Sequence, residues 1–191
     1  MKDYPLAQWL PSPNFTRGRS KPVDAVVIHH TDGQPKLDRA VAHLRKTRAD
    51  FLAEGRDRGP VSAHFVVGQK GEVVQLVRIE DTAWHASGVN ACTVGIEHIA
   101  RTPGELGPND PGLPLTDAQL DASAALVRWL CRRLGLPIDS RHIVPHCRVV
   151  GTSHHDCGLG VDEGGIWDWR GYFRRLELLD PAAMPTMPAG P

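Results

Sequence analysis

Apolar residues recur along this chain with two periods, and each change of period marks a new element. Val23 to His29 reads as a strand whose Val26-Val27-Ile28 run is apolar on both faces, which places it inside a sheet covered on both sides. Val41, Leu44, Arg48 and Phe51/Leu52 then recur at helical spacing, predicting a helix over Asp38 to Leu52 that Gly55 stops. "SAHFVVGQKGEVVQLV" predicts a hairpin, two β-rich runs joined at Gln69-Lys70-Gly71. Thr93 to Ile99 is another short strand, and "RTPGELGPNDPGLP" after it is a surface loop. The clearest helix opens at Thr116, where Thr-Asp-Ala-Gln has the form of a capping box. It carries Leu120, Ala124, Val127, Cys131 and Leu134 on one stripe, and Gly135 with Pro137 ends it. "HIVPH" is a brief extended segment feeding a loop, and "GIWDWRGYFRRLELL" is a last amphipathic helix.

Strands interleaved with helices, plus one hairpin, predict an α/β domain over residues 23–179: a mixed central sheet flanked by helices. Residues 1–22, rich in Pro, Ser and Arg, predict an irregular surface arm anchored by Trp9 and Phe15. Residues 180–191, "DPAAMPTMPAGP", predict a disordered tail. A hydrophobic content of 41% and a mean hydropathy of -0.29 suit a globular domain, so bulk composition leaves this picture unchanged.

Charge narrows the partners. Lys plus Arg and Asp plus Glu both number 22, so there is no global basic excess to hold nucleic acid or an anionic membrane. No window reaches the roughly 18 apolar residues of a spanning helix, and the N-terminal stretch has no continuous apolar core like that of an export signal. A cytoplasmic location is therefore the expectation. Four cysteines without a CxxC pair predict mostly free thiols rather than a disulfide framework. Ten histidines in 191 residues are the unusual feature.

His29 closes the first strand, and a strand's C-terminal end is a natural edge for a cleft. Far downstream, "VPHCRVVGTSHHDCGLG" holds His146 and, ten positions later, Asp156. Two histidines and one carboxylate leave an open fourth position on zinc, the arrangement that catalytic zinc needs for water. A satisfied structural histidine and a solvated His-rich loop are the plain alternatives, and spacing alone does not choose between them. Glu97 lies inside the apolar "TVGIEHI", where a carboxylate is costly unless it is paired or functional.

In order, "SPNF", "VVIHHT", "SAHFVV", "AWHAS", "VGIE", "LT" opening a helix, "TSHHD" and "WDW" together resemble the zinc-dependent N-acetylmuramoyl-L-alanine amidases of type 2. That family includes recycling amidases, phage lytic amidases and animal peptidoglycan recognition proteins, and the resemblance runs from about Ser12 to about Leu176. It implies the amidase and peptidoglycan recognition protein fold, Zn2+ as cofactor, and peptidoglycan or muropeptide as the partner. It also implies hydrolysis of the amide between N-acetylmuramic acid and L-alanine. Residue by residue, it implies His29, His146 and Asp156 as metal ligands, with His30 turned away toward neighbouring loops.

Glu97 falls where recycling members carry the acid that activates water, and His154 where a Lys or Thr assists the carbonyl oxygen. His85, Trp84 and Asn90 match positions that line the family's cleft; His64 matches another, with a hydrogen bond inside the sheet as its other reading. The chain departs from the family at Cys157, which stands where Pro usually follows the third ligand. A shift of one residue would bring that thiolate to the metal in place of Asp156. Cys147 is expected to be a buried small residue, and Ala63 stands where phage members carry a catalytic tyrosine. The rival reading is a module that binds peptidoglycan without cutting it, which has no need of His29, His146, Asp156 and Glu97 together. A lytic enzyme released to the wall is the alternative to a cytoplasmic recycling role.

Overall fold

The computed structural model describes residues 2–31, 34–149 and 166–178. In chain order the strands are β1 (Gln8–Trp9), β2 (Phe15–Thr16), β3 (Ala25–His30), β4 (Phe65–Val67), β5 (Val73–Gln75), β6 (Thr82–Ala83), β7 (Thr93–His98) and β8 (Ile143–Pro145). The helices are α1 (Leu37–His43), α2 (Arg48–Ala53), α3 (Asp117–Leu134) and α4 (Trp169–Leu178). Six strands form one sheet in the order β1-β5-β4-β7-β3-β8, and β2 pairs with β6 in a small second sheet. β4 and β5 are the antiparallel hairpin, while β7 is parallel to both β3 and β4, so the central sheet is mixed as expected.

Both faces of the central sheet are covered by helices. Val26, Ile28, Val94, Ile96, Phe65 and Val67 face Leu126, Trp129 and Leu130 of α3 and Tyr172 and Leu176 of α4. On the other face Val66 and Val74 pack with Ala40 and Val41 of α1 and the neighbouring Leu44. Burial of this set is the main favourable term holding the sheet between its helices, at about 1.5–3 kcal/mol for each large apolar side chain.

Sequence and structure part in three places. The helix expected over Asp38 to Leu52 is two helices, because Thr47 restarts the chain: its hydroxyl accepts from the Asp50 N–H while the Asp50 carboxylate accepts from the Thr47 N–H. The carbonyls released at the break go to the N-terminal segment, Leu44 to the Ser12 hydroxyl (2.6 Å) and Lys46 to the Asn14 amide (2.8 Å). That segment is accordingly no irregular arm. β1 extends the main sheet in parallel with β5, and buried Gln75 grips Asp3 through both its backbone N–H (2.7 Å) and its carboxylate (2.6 Å). The anchors are Tyr4, edge-on to Trp129 at 5.2 Å, and Ala7; Phe15 is exposed and Trp9 half-buried.

The third difference is in the cap of α3. Thr116 caps the Gln119 N–H as predicted, but the Gln119 side chain does not complete the box. Buried, it donates to the carbonyls of Val67 (2.9 Å) and Ile99 (3.2 Å) and so ties the helix to the ends of β4 and β7. Gly71 shows why the hairpin turn needs glycine: φ is 83°, and a Cβ there would sit 2.9 Å from the Ala118 carbonyl oxygen of α3. No helix among the described residues is long and apolar enough to cross a membrane. The expected tail at 180–191 lies outside the described residues.

Candidate active site

Parallel pairing places His29 of β3 directly beside Glu97 of β7. In-register neighbours share a face of the sheet, so the imidazole and the carboxylate rise on the same side. β8 pairs with β3 up to Pro145 opposite Ile28, which brings the next residue, His146, alongside His29. The two rings lie with centroids 4.5 Å apart and planes tilted by 53°, and both residues are buried. Three separate elements therefore converge on one spot at the C-terminal edge of the sheet.

A third imidazole completes the cluster from the loop after β6. His85 Nδ1 lies 3.0 Å from His29 Nε2, and His85 Nε2 lies 3.2 Å from the Thr93 hydroxyl. Both ring nitrogens thus meet protein groups, His29 on one side and Thr93 on the other. Asn90 accepts the N–H groups of His85 (3.0 Å) and Ala86 (2.7 Å) on one side-chain oxygen, fixing the loop that carries the ring. Burial first, then the nearby His29 and His64, pushes the His85 pKa well below its usual value, so the ring is neutral.

His64 has the sheet role offered as one of its two readings: its Nδ1 accepts the Gly95 N–H at 3.0 Å. Arg19 approaches its other nitrogen at 2.7 Å, and burial followed by that charge brings the His64 pKa down to about 3. Arg19 also donates to the carbonyls of Asn90, Ala91 and Thr93 at 3.0–3.3 Å, so it braces the start of β7.

The opposite side of the sheet holds the backbone of His29. His98 Nδ1 lies 3.0 Å from the His29 carbonyl, His98 Nε2 lies 2.7 Å from the Ser123 hydroxyl, and Ser123 in turn lies 2.7 Å from the Tyr172 hydroxyl. A carbonyl can only accept, which fixes the direction: Tyr172 donates to Ser123, Ser123 to His98, and His98 to His29. Burial brings the His98 pKa down to about 3, consistent with the neutral ring this chain requires. His30 turns to the loop after β7, with Thr102 Oγ1 3.3 Å from its Nε2.

Two depressions flank the cluster. One, of about 700 Å3, is lined by Arg17, Arg19, Thr82, Trp84 and Asn90 among others. The other, of about 130 Å3, is lined by Glu97, His30 and His43. Trp84 is held at the first by its indole N–H, which donates to Thr16 at 3.0 Å.

Among the described residues no group of three His, Cys, Asp or Glu is placed to hold a metal. His154, Asp156 and Cys157 lie outside the described residues. His29 and His146 bring two buried imidazoles together with ring centroids 4.5 Å apart, and imidazole is a donor type that zinc accepts. Cys92 and Cys131 are free thiols, and Cys147 is half-buried where full burial was expected. Thr93, Gly95, His98 and Ser123 were not singled out from the sequence. The one available signal was the glycine inside an apolar strand, a mark of close approach by another group.

A family model for N-acetylmuramoyl-L-alanine amidases matches residues 19–159. The chain is 27% identical over 193 residues to N-acetylmuramoyl-L-alanine amidase A of Achromobacter lyticus, spanning 91% of this chain and 95% of that protein. It is 28% identical over 171 residues to the 1,6-anhydro-N-acetylmuramyl-L-alanine amidase AmpD of Citrobacter freundii, spanning 82% and 86%. A crystal structure of a selenomethionine AmpD derivative superposes with a TM-score of 0.63 at 25% identity, spanning 90% of this chain and 94% of that one. AmiD of E. coli, solved with anhydro-N-acetylmuramic acid-L-Ala-D-gamma-Glu-L-Lys, has a TM-score of 0.57 at 20% identity, spanning 83% and 60%, and shares the fold.

Proposed function

The chain belongs to the N-acetylmuramoyl-L-alanine amidase family, and we propose that it hydrolyses the amide between N-acetylmuramic acid and L-alanine in peptidoglycan or muropeptides. The observation that carries this reading is the register of β3 on β7, which sets a carboxylate, Glu97, beside a histidine, His29, that itself packs against His146. A pure binding groove has no use for that combination. The named substrates of the AmpD relatives, and the muropeptide bound to AmiD, support a muropeptide as the ligand of this cleft.

In this reading His29, His146 and Asp156 hold a zinc ion, which would acidify a water and polarise the lactyl carbonyl. Glu97 takes a proton from water as the water oxygen bonds to the carbonyl carbon. It returns that proton to the L-alanine nitrogen as the C–N bond breaks, leaving a muramyl carboxylic acid and an amine, which become carboxylate and ammonium by exchange of the second water proton. His154 donates a hydrogen bond to the carbonyl oxygen as negative charge gathers there. Trp84 and Asn90, on the wall of the larger depression, contact the substrate.

Release of free stem peptide from an anhydro-muropeptide, with and without a chelator, tests the reaction, and turnover on intact sacculi separates recycling from wall lysis. Metal content of Asp156→Ala and Cys157→Ser tests the third ligand. Loss of zinc in the first and retention in the second is expected; the inverse would put Cys157 on the metal.

A further inference from the structure

His85 lies flat on β7, and one residue makes that possible. A Cβ on Gly95 would sit 2.4 Å from His85 Cγ and 2.5 Å from Nδ1, so any other residue there would drive the ring off the strand. The Thr93 hydroxyl has a single proton, and it goes to the Val89 carbonyl at 2.9 Å. Thr93 Oγ1 is then the acceptor for His85 Nε2–H. Its other nitrogen, Nδ1, faces His29 Nε2 at 3.0 Å, so the two rings share one proton across this contact. Were that proton held on His29 Nε2, the His29 lone pair would lie on Nδ1.

We propose that Gly95, Thr93 and His85 form a built positioning device for His29, which orients its ring and fixes the tautomer that binds metal through Nδ1. The device rests on the reading of His29 as a metal ligand. A ligating histidine gains basicity and a fixed orientation when its second nitrogen donates to a protein group, and losing such a partner typically weakens metal binding by about 10- to 100-fold. Asn90 belongs to the same device, since its side chain holds the backbone of His85 in place.

The test removes zinc from the loaded protein with a competing chelator and compares wild type with Thr93→Val, Thr93→Ser, His85→Phe, Gly95→Ala and His29→Ala. Thr93→Val keeps shape but not the acceptor, so its zinc affinity should fall by about 10-fold or more, whereas Thr93→Ser should stay within about twofold of wild type. His85→Phe and Gly95→Ala should weaken zinc at least as much as Thr93→Val. Nitrogen-15 spectra of the histidine-labelled, zinc-loaded protein should show His29 protonated at Nε2.

If His29→Ala keeps wild-type affinity, the ligand reading falls and the device with it. If His29→Ala loses zinc while Thr93→Val and His85→Phe keep wild-type affinity, the device alone is refuted. A His29 proton found on Nδ1 refutes it as well. Should Gly95→Ala fail to fold, the Thr93→Val and Thr93→Ser pair, matched in size, carries the test.

Discussion

The sheet carries an imidazole-hydroxyl chain on each of its faces, and the two chains meet at the same residue. On one face Thr93 and His85 lead to the ring of His29; on the other Tyr172, Ser123 and His98 lead to its carbonyl. The chemistry is nearly identical, but the surroundings differ. His98, Ser123 and Tyr172 are sealed between α3, α4 and the sheet, with the Trp167 ring 4.8 Å from His98 and 4.9 Å from Tyr172. His85 is half-buried, with buried Thr93 behind it, and its neighbour Trp84 lines the larger depression. Buried polar groups in a sealed core stabilise the fold by being satisfied, whereas the same groups at the rim of a cleft set the state of a reactive one. Losing a hydroxyl from either chain should cost stability, but only on the His85 side should it also weaken metal binding.

The largest effects belong to the cleft face. His146→Ala removes a proposed ligand, so bound zinc and turnover should both fall to background while the fold persists, checked by metal analysis, muropeptide hydrolysis and circular dichroism. Full zinc content in that variant would place the metal elsewhere. Glu97→Gln keeps shape but cannot accept a proton, so zinc should remain while turnover drops by about 10²-fold or more. Wild-type turnover in Glu97→Gln would take the proton transfer away from Glu97.

Histidines on both faces make the fold sensitive to acid. His64 and His98 titrate near 3 in the folded chain, against 6.5 when unperturbed, so each takes up its proton on unfolding. Their contribution is complete above about pH 6.5 and is lost as pH falls through that value toward 3. The thermal midpoint of zinc-free protein should decline steadily between pH 7 and pH 4.5. A flat profile over that range would mean that neither histidine is held neutral.

How much of this was legible in the sequence depended on how local the cause is. β3, β7 and α3 follow from periodicity and end signals within a few residues, as with Gly135 at φ 69° closing α3. The break at Thr47 was just as local, but Arg48 and Phe51 kept the helical spacing and hid the cap. The N-terminal segment was misread because its cause is distant: β1 pairs with residues 74 and 75, and Ser12 and Asn14 serve carbonyls about 30 residues away. His29, His146 and Glu97 were singled out through order and resemblance. That His29 and Glu97 are neighbours is a matter of register between strands far apart in sequence, which no spacing encodes. His98 and Ser123 were missed because a buried polar residue looks like a surface one until its partner is placed.

The smallest expected effect is also the closest comparison. Tyr172→Phe deletes one hydroxyl from the end of the core chain and leaves the ring packed edge-on against Trp167 at 4.9 Å. Ser123 loses a donor but keeps His98 as its acceptor, so the cost should be that of one hydrogen bond, about 1 kcal/mol. His98 still holds the His29 carbonyl, so zinc affinity and turnover should stay within about twofold of wild type, a difference worth less than about 0.5 kcal/mol. Thr93→Val is the matching deletion on the other face, where the hydroxyl acts on the His29 ring instead of its backbone. Urea unfolding should show stability lost in both variants, while zinc competition separates them, with metal kept in Tyr172→Phe and lost in Thr93→Val. A Tyr172→Phe protein with weakened zinc and unchanged stability would show that the core chain also tunes the metal-binding ring, and the division between the two faces would be wrong.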